Sequence, residues 1–360
     1  MAKILYCASM ASHIENFHKP YIAEYKRRGF EVHTCSTGVA RCGGATVSYD
    51  LPFVKKVYSP KNFVTIIKLA RIIRKEKYDY IMTQASLAGI IGRAAAVLSF
   101  RKLRIVHTCH GYLFNDDGSR RSRFMIFCEK LFRRKTDLLA VMNSDDMAIA
   151  EKYRLGKSIR FINGMGIDSG MFPPLSKEQC AQTRADMGIE KDAFVFINVA
   201  EFSARKNQRL LISALAKMKN DAVLILAGEG ELLHSCMELA ETLGVSGRIF
   251  FVHYSCSVNA LLRLSDCFVA ASRFEGLPFC VMEALYCGLP VAASDVKGHR
   301  DLINGENGVL FPSDNADSLA EVMDRFAEDK RLCAEKSGKG LDEKYLLSSC
   351  LPENMELFGI

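Results

Sequence analysis

The chain has 360 residues, of which 49% are hydrophobic and 25% are charged, and this ordinary globular composition and length are typical of two domains. The most apolar stretch, residues 85–100, is interrupted by Arg93, so we expect no membrane-spanning helix. The net charge of +7 is uneven, because residues 1–170 carry 29 Lys and Arg against 14 Asp and Glu while the remainder is acidic. The basic half predicts contact with membrane headgroups, a phosphorylated acceptor or nucleic acid, and solvated helix faces are the alternative.

The 13 cysteines are scattered, with no C-x-x-C pair and no His and Cys cluster at the spacing of metal ligands. This pattern indicates reduced, mostly buried thiols, as in proteins of the cytoplasm. The amino terminus enters an apolar run at Ile4 and lacks the cleavage site of a secretory signal, so we interpret it as a first strand. We therefore expect a cytoplasmic protein, lying at the inner face of the membrane if its basic half binds lipid.

Short apolar runs alternate with segments of helical periodicity in the first half of the chain. The runs predict buried parallel strands at 3–8, 31–35, 78–82, 103–108, 138–142 and 159–162. The periodic segments predict helices at 16–29, 61–77, 87–100, 120–134 and 145–153. Strands that alternate with helices indicate βαβ units and a first doubly wound domain, 1–170.

A polar segment with Pro173 and Pro174 follows, which predicts a linker over 171–192. The alternation then restarts and predicts a second domain, 193–345, and a tail, 346–360, that packs back on the first domain. The elements expected there are strands at 193–199, 222–227, 249–253, 267–270, 291–293 and 308–311, with helical stretches at 207–219, 232–243, 258–264, after Pro278, 318–328 and 334–346. Ligands of such sheets bind at the carboxyl ends of the strands.

The segment from Ala271 to Val291 is the most informative in the chain. A strand ends there, Gly276 and Pro278 predict a tight turn, and a helix begins. Glu275 would stand before the first helical turn and Glu283 about 80° round the helix axis, so the two carboxylates can meet different parts of one ligand. The free N–H groups around Leu277 to Cys280 would form a pocket for a diphosphate, so Gly276, Leu277, Pro278 and Phe279 are expected to bind the ligand.

With its two glutamates eight residues apart, this segment resembles the E-x7-E motif of the retaining GT-B glycosyltransferases, glycosyltransferase family four, and the resemblance covers nearly the whole chain. It implies two doubly wound Rossmann-like α/β domains with the active site in the cleft between them. It also implies that Glu275 contacts the donor hexose and that Glu283 hydrogen-bonds the ribose hydroxyls.

Other loops match the same family. Lys206 matches a lysine that neutralises the donor pyrophosphate, and Glu201 stands where the family has an arginine, so Arg205 is the expected second cation. Gly228 and Gly230 follow a strand, where backbone can approach the nucleotide, although a tight turn explains them equally well. The family resemblance places Tyr254 at the base.

The resemblance also identifies residues in the first domain. His110, in a His-Gly pair at a strand end, is expected to approach the donor sugar. The first loop, residues 9–18, resembles that of capsular and exopolysaccharide enzymes that act on polyprenyl-diphosphate-linked acceptors, so His13 is expected to face the acceptor, with helix capping as the alternative. An Asp-x-Asp motif is absent from the strand ends, so we expect a donor site without metal or other cofactor.

The predicted function is transfer of a hexosyl group from a nucleoside-diphosphate sugar, with UDP as the expected nucleotide, to a lipid-linked saccharide during surface polysaccharide synthesis. The alternatives are a nucleotide-sugar epimerase of the same fold and a non-catalytic subunit of a glycosylation complex. The basic helix 120–134, with Phe124 and Phe127 between its arginines, predicts contact with an anionic membrane, and an ordinary amphipathic helix is the alternative. Nucleic acid is not an expected partner.

Overall fold

The chain folds into two compact α/β units. The computed structural model describes residues 1–54, 59–253, 257–337 and 340–359. Met1–Gly166 and the segment that starts at Leu347 form the first unit, and Ile167–Leu346 forms the second. Each unit contains one sheet, and every strand pair in the two sheets is parallel.

The first unit has a seven-stranded sheet. Its strands are β1 (Lys3–Met10), β2 (Glu31–Thr37), β3 (Val47–Asp50), β4 (Tyr80–Gln84), β5 (Arg104–Cys109), β6 (Leu138–Val141) and β7 (Ser158–Phe161), in the spatial order β3-β2-β1-β4-β5-β6-β7. Its helices are α1 (Ala11–Phe17), α2 (Lys19–Arg27), α3 (Pro60–Glu76), α4 (Ala85–Leu98), α5 (Arg120–Phe132), α6 (Ser144–Tyr153) and, from the carboxy-terminal segment, α15 (Leu347–Phe358).

The second unit has a six-stranded sheet. Its strands are β8 (Phe194–Val199), β9 (Ala222–Ala227), β10 (Ile249–Val252), β11 (Cys267–Ala270), β12 (Val291–Ser294) and β13 (Gly308–Phe311), in the order β10-β9-β8-β11-β12-β13. Its helices are α7 (Lys177–Asp186), α8 (Gln208–Lys217), α9 (Leu233–Thr242), α10 (Val258–Leu264), α11 (Phe279–Tyr286), α12 (His299–Leu302), α13 (Ala316–Glu328) and α14 (Lys330–Ser337). Short 3-10 turns occupy Ser169–Met171, Ser246–Arg248 and Glu343–Tyr345.

The central strands are apolar because helices cover the sheets. Val195, Phe196 and Ile197 of β8 are fully buried, as are Ile4 and Leu5 of β1. A strand buried on both faces needs a nearly continuous apolar run, which is the pattern that predicted these strands. In each sheet the order reverses next to the first strand of the unit, between β1 and β4 and between β8 and β11, and the carboxyl ends there are where doubly wound folds bind ligands.

A buried ion pair joins α4 to α5 in the first unit. Arg93 Nη2 donates to Glu129 Oε2 at 2.7 Å, and both side chains are buried. Arg93 Nε also donates to the Gly89 carbonyl at 2.8 Å. The pair fixes the inner face of α5, while Phe124 and Phe127 on the same helix are more than half exposed.

The segment 171–192, predicted as a linker, contains helix α7 and belongs to the second unit. Arg184 on α7 donates to the Leu264 carbonyl at 2.8 Å and to Asp266 at 2.9 Å, so the helix is fastened to the end of α10. Both prolines precede this helix, and Ser176 caps it by accepting a hydrogen bond from the Gln179 N–H. Pro173 and Pro174 lie in an irregular stretch that precedes α7, so the predicted linker of 22 residues is largely a structured part of the second unit.

The carboxy-terminal helix α15 lies in the first unit. Asn354 Nδ2 donates to Tyr21 Oη at 2.8 Å and to the Gly164 carbonyl at 2.9 Å, and Met355 is fully buried. Gly166 has a left-handed backbone with φ +79°, and a Cβ there would lie 2.6 Å from Leu347 Cα. A glycine is therefore required where the chain leaves this unit beside the segment that returns to it.

Two local predictions differ from the structure. The edge strand β3 was not predicted, because its four residues are only partly buried and give no apolar run. The helix predicted over 334–346 is confirmed only at 334–337, where α14 ends, and is wrong at 340–346, where a short 3-10 turn occupies Glu343–Tyr345; residues 338 and 339 lie outside the described residues. In the part of the chain that the structure describes, no helix is both long and apolar enough to span a bilayer.

Candidate active site

A buried carboxylate lies at the carboxyl edge of the second sheet, next to the reversal in strand order. Glu275, in the loop after β11, is 6% exposed. Arg205 and Lys206, in the loop after the neighbouring strand β8, both reach it: Arg205 Nη1 lies 2.7 Å from Oε2 and Lys206 Nζ lies 2.7 Å from Oε1. The three residues that the sequence singled out in this sheet thus form one charged cluster.

The two cations keep Glu275 ionised. Burial by itself would raise the pKa of this carboxyl, but the positive charges of Lys206 and then Arg205 outweigh burial and lower the pKa to about 2. Burial likewise opposes the charge of Lys206, while Cys280 and Glu275 raise its pKa above the ordinary value. The cluster therefore holds one anion and two cations.

Both oxygens of Glu275 are paired with cations. Oε2 accepts a hydrogen bond from Arg205 at 2.7 Å. Oε1 lies 2.7 Å from the Lys206 ammonium. A carboxylate oxygen has more than one lone pair, so Oε1 can also accept a hydrogen bond from a sugar hydroxyl.

The cationic loop is held in place by backbone constraints. The Lys206 N–H donates to the Ser203 carbonyl at 3.1 Å, and Asn207 adopts a left-handed conformation, φ 56°, directly before α8. Asn207 Nδ2 donates to Asp314 at 2.9 Å. The Arg273 N–H donates to the Arg205 carbonyl at 2.9 Å, which ties this loop to the one that carries Glu275.

Glu283 lies in the second turn of α11 and has a different electrostatic setting. Burial raises the pKa of its carboxyl to about 7, although the charge of Lys206 acts in the opposite direction. The pKa values of the two carboxyls are therefore shifted in opposite directions. Glu275 is an anion at neutral pH, whereas Glu283 ionises near neutral pH. A polar ligand beside Glu283 would replace the solvation that its carboxylate lacks.

The turn between these glutamates begins helix α11. Pro278 is the N-cap residue, and its carbonyl accepts from the N–H groups of Val281 and Met282, both at 3.2 Å. Leu277 and Pro278 are buried and Phe279 is partly buried. The sequence predicted this turn and helix, and the donor contacts expected of Gly276, Leu277, Pro278 and Phe279 stay predictions.

The glycines after β9 are engaged by the protein itself. The Gly228 N–H donates to the Val252 carbonyl at 2.8 Å. A Cβ on Gly230 would lie 2.3 Å from the Phe202 carbonyl oxygen, so close backbone packing already explains that glycine. Contact of either glycine with a nucleotide stays a prediction, and Tyr254 lies outside the described residues.

Sequence reasoning missed the loop after β12. Gly298 has φ +80°, and a Cβ there would lie 2.5 Å from the Gly276 carbonyl oxygen and 3.1 Å from Glu275 Cβ. His299 follows, fully buried, with Nδ1 2.8 Å from the Ser294 carbonyl. Its electrostatic interaction with Glu275 also helps to lower the pKa of that carboxyl. A Gly-His pair in the loop after a parallel strand was the available signal.

A separate group of histidines lies at the carboxyl edge of the first sheet. His110 follows β5, and its Nε2 is 2.9 Å from Gln84 Oε1 at the end of β4. The rings of His13 and His110 are 5.0 Å apart, and His18, which the sequence did not single out, lies 4.9 Å from His13. Burial lowers the pKa of His13 to about 4 and those of His18 and His110 well below the ordinary value, so the three imidazoles are neutral.

Within the described residues, these three histidines are the group that could hold a metal ion. His13 and His110 are the two residues of the first sheet that the sequence predicted to face ligands, and the structure brings them together. Their predicted contacts with acceptor and donor sugar stay predictions.

Comparison with known proteins identifies the family. The family model described as Glycosyltransferase Family 4 matches residues 21–163, and the one described as Glycosyl transferases group 1 matches residues 181–340. A Bacillus subtilis (strain 168) protein that carries the name EpsD and is assigned to the glycosyltransferases is 30% identical over 345 residues, 94% of this chain and 91% of that protein. The chain belongs to glycosyltransferase family 4.

Two further likenesses agree with this family. The UDP-Gal:alpha-D-GlcNAc-diphosphoundecaprenol alpha-1,3-galactosyltransferase of Escherichia coli is 29% identical over 283 residues, 76% of this chain and 72% of that enzyme. HepE of Anabaena, solved in complex with UDP and glucose, matches over 100% of both chains with a TM-score of 0.80 and 18% identity. The GT-B fold with two Rossmann-like domains and the enzyme class, glycosyltransferase, are confirmed.

Replacing Glu283 by Gln tests its unusual proton affinity. The pKa of about 7 in the fold lies above the ordinary value of 4.5, so the folded chain binds this proton more tightly than the unfolded chain and loses stability as pH rises through that window. Glu283→Gln cannot ionise, and we expect it to raise the Tm of the second unit by about 2–4 °C at pH 8, which corresponds to on the order of 1 kcal/mol, and to leave it unchanged at pH 4. Thermal unfolding at both pH values measures this.

The matched control is Glu241→Gln, an exposed glutamate on α9. The control should not alter Tm at either pH. Equal Tm shifts at pH 4 and pH 8 in Glu283→Gln would show that the carboxyl does not titrate near neutrality.

Proposed function

We propose that this glycosyltransferase moves a hexosyl group from a UDP-sugar to a lipid-linked saccharide, with retention of the anomeric configuration, during the synthesis of a capsular or secreted polysaccharide. The reaction would take place in the cytoplasm, at the inner face of the membrane. One observation carries the proposal: Arg205 and Lys206 converge on buried Glu275, and each lies 2.7 Å from one of its carboxylate oxygens.

This charge arrangement suits a nucleoside-diphosphate sugar. The donor brings a diphosphate, which two buried or half-buried cations can neutralise, and a hexose, whose hydroxyls can donate to Glu275. In the free protein Glu275 offsets part of the positive charge, so the cations are held in place before the diphosphate arrives. Glu283 is proposed to accept from the ribose hydroxyls.

The same cations support a donor site that needs no divalent metal. A metal ion in such enzymes stabilises negative charge on the leaving phosphate. Lys206 is only 12% exposed and has a raised pKa, so it is a fixed positive charge in a low-dielectric setting. We propose that Lys206 and Arg205 perform this function.

We propose the following transfer step. The bond between the anomeric carbon and the β-phosphate oxygen breaks, and UDP leaves with the electron pair. The acceptor hydroxyl oxygen forms the new bond on the face that UDP leaves, and its proton passes to the departing phosphate. Glu275 orients the sugar and is not proposed as a nucleophile.

The relatives support the donor and acceptor classes. The Escherichia coli relative takes galactose from UDP-galactose to a saccharide on diphosphoundecaprenol, and the solved Anabaena protein binds UDP. We propose the same donor and acceptor chemistry here, with His13 on the acceptor side.

Helix α5 supports contact with the membrane that would carry such an acceptor. Phe124, Phe127 and Leu131 are 54%, 57% and 59% exposed, and their spacing of three and four residues places them on one face. Exposed arginines lie on the same helix, at 120, 121 and 123. Apolar side chains can enter the lipid interface while arginines bind anionic headgroups.

A transfer assay tests the proposed reaction. The chain is incubated with a panel of UDP-hexoses and UDP-N-acetylhexosamines, with and without an undecaprenyl-diphosphate-linked saccharide, in the presence of EDTA. We expect UDP release with one donor, at least about tenfold faster with the acceptor than without it, and an α-linked product by NMR. Conversion of the donor to an epimer without acceptor, a β-linked product, or transfer that occurs only when Mg²⁺ or Mn²⁺ replaces EDTA would each contradict the proposal.

Vesicle binding tests the membrane contact. We expect the chain to sediment with phosphatidylglycerol vesicles more than with phosphatidylcholine vesicles, and Phe124→Ser with Phe127→Ser to weaken this binding by roughly tenfold, because two phenyl groups no longer enter the interface. The matched control is Phe63→Ser with Ile67→Ser, two exposed apolar residues on α3. Equal sedimentation with both vesicle types, or equal loss in both double variants, would remove α5 as the membrane contact.

A further inference from the structure

His13, His18 and His110 form a three-histidine cluster at the position where the first sheet reverses its strand order. His13 is on α1, directly after β1, His18 begins the next helix, and His110 follows β5. Strands β1 and β5 flank β4, so the three side chains come from loops at one carboxyl edge. This is the position at which doubly wound folds gather the groups that bind a ligand.

The nitrogen atoms of the cluster are near metal-binding distances. One ring nitrogen from each histidine lies within 4.8 Å of the other two. Zinc bound tetrahedrally at about 2.0–2.1 Å from each nitrogen needs roughly 3.4 Å between them. Ion binding would therefore have to draw the rings closer together, and His13, which is partly exposed, is the ring that can move most readily.

Hydrogen bonds orient two of the rings. His18 Nδ1 is 2.9 Å from Tyr6 Oη, which leaves Nε2 as the other ring nitrogen. That Nε2 is buried and has no hydrogen-bond partner among the described residues. His110 Nε2 donates to Gln84 Oε1, so its Nδ1 carries a lone pair. Metal-binding histidines commonly use one nitrogen for such a bond and the other for the ion.

We propose that His13, His18 and His110 bind one zinc ion or a similar borderline transition metal. Three neutral imidazoles suit zinc, copper, nickel or cobalt, whereas magnesium prefers oxygen ligands. Three protein ligands leave the fourth position of a tetrahedral zinc ion for water or a hydroxyl group of a ligand. The proposed donor diphosphate does not require this ion, because Arg205 and Lys206 supply the positive charge there.

The alternative to metal binding is a cluster of packed aromatic rings without a bound ion. The ring pairs His13 with His18 and His13 with His110 have interplanar angles of 68° and 77°, which edge-to-face packing also produces. Packing explains the ring angles, but it leaves the buried Nε2 of His18 without a partner. A bound metal ion would give that nitrogen a partner and is also compatible with the observed ring angles.

Metal binding without any sugar present tests the proposal. The full chain, without a histidine tag and stripped with a chelator, is titrated with ZnCl2 by calorimetry, and bound metal is measured after dialysis. We expect one equivalent of zinc, no binding of magnesium at the same concentration, and the visible spectrum of tetrahedral cobalt on loading with Co²⁺. His13→Ala and His18→Ala should each weaken zinc binding at least about a hundredfold.

Controls separate this site from unspecific binding and from unfolding. His234→Ala removes an exposed histidine of the second unit, 87% exposed, and should leave zinc binding unchanged. His18 is buried against Tyr6 and its loss can unfold the chain, so partly exposed His13 gives the variant that keeps the fold, checked by circular dichroism. Zinc binding by His13→Ala equal to wild type, or no zinc binding by wild type, would overturn the proposal.

Discussion

The ion pairs of Glu275 are the interaction on which the candidate donor site depends. A carboxylate that is only 6% exposed cannot stay ionised in a protein interior without compensating charge. Lys206 and Arg205 supply that charge, and each is 2.7 Å from a carboxylate oxygen. Loss of either cation would weaken the compensation of this buried charge. The cluster therefore fixes the cations, the carboxylate and the two loops that carry them as one unit.

The backbone around the cluster is arranged to bring those loops together. The loops after β8 and β11 leave adjacent strands, and the Arg273 N–H to Arg205 carbonyl bond joins them directly. Gly298 allows a third loop, after β12, to pack against Gly276 where a side chain would collide with its carbonyl oxygen. The electrostatic cluster is thus supported by hydrogen bonds and close packing rather than by flexible side chains alone.

The strands and the two glutamates could be predicted because their signals are local. Buried parallel strands give apolar runs, and the loop between β11 and α11 carries its own turn residues beside Glu275. The helix in the segment 171–192 was missed because its contacts, such as Arg184 to Leu264, are with residues about 80 positions away. His18 and Gly298 were missed for the same reason. Their importance comes from neighbours that only the folded chain supplies.

The contrast between Glu275 and Glu283 could not be read from their spacing. Both residues are glutamates on the same turn and helix, yet the pKa of Glu275 is lowered to about 2 and that of Glu283 is raised to about 7. The difference comes from the cations. Glu275 contacts both of them, whereas burial is the main influence on the pKa of Glu283. The two carboxyls are thus suited to different parts of one donor.

The most direct test of this account is the effect of Glu275→Gln on UDP affinity and on transfer rate. Gln keeps the shape but removes the anion that offsets Lys206 and Arg205, so UDP should bind at least as tightly as to wild type by calorimetry. Transfer should fall by on the order of a hundredfold or more, because the sugar loses its carboxylate contact. Glu241→Gln is the control. Wild-type transfer by Glu275→Gln would contradict the account.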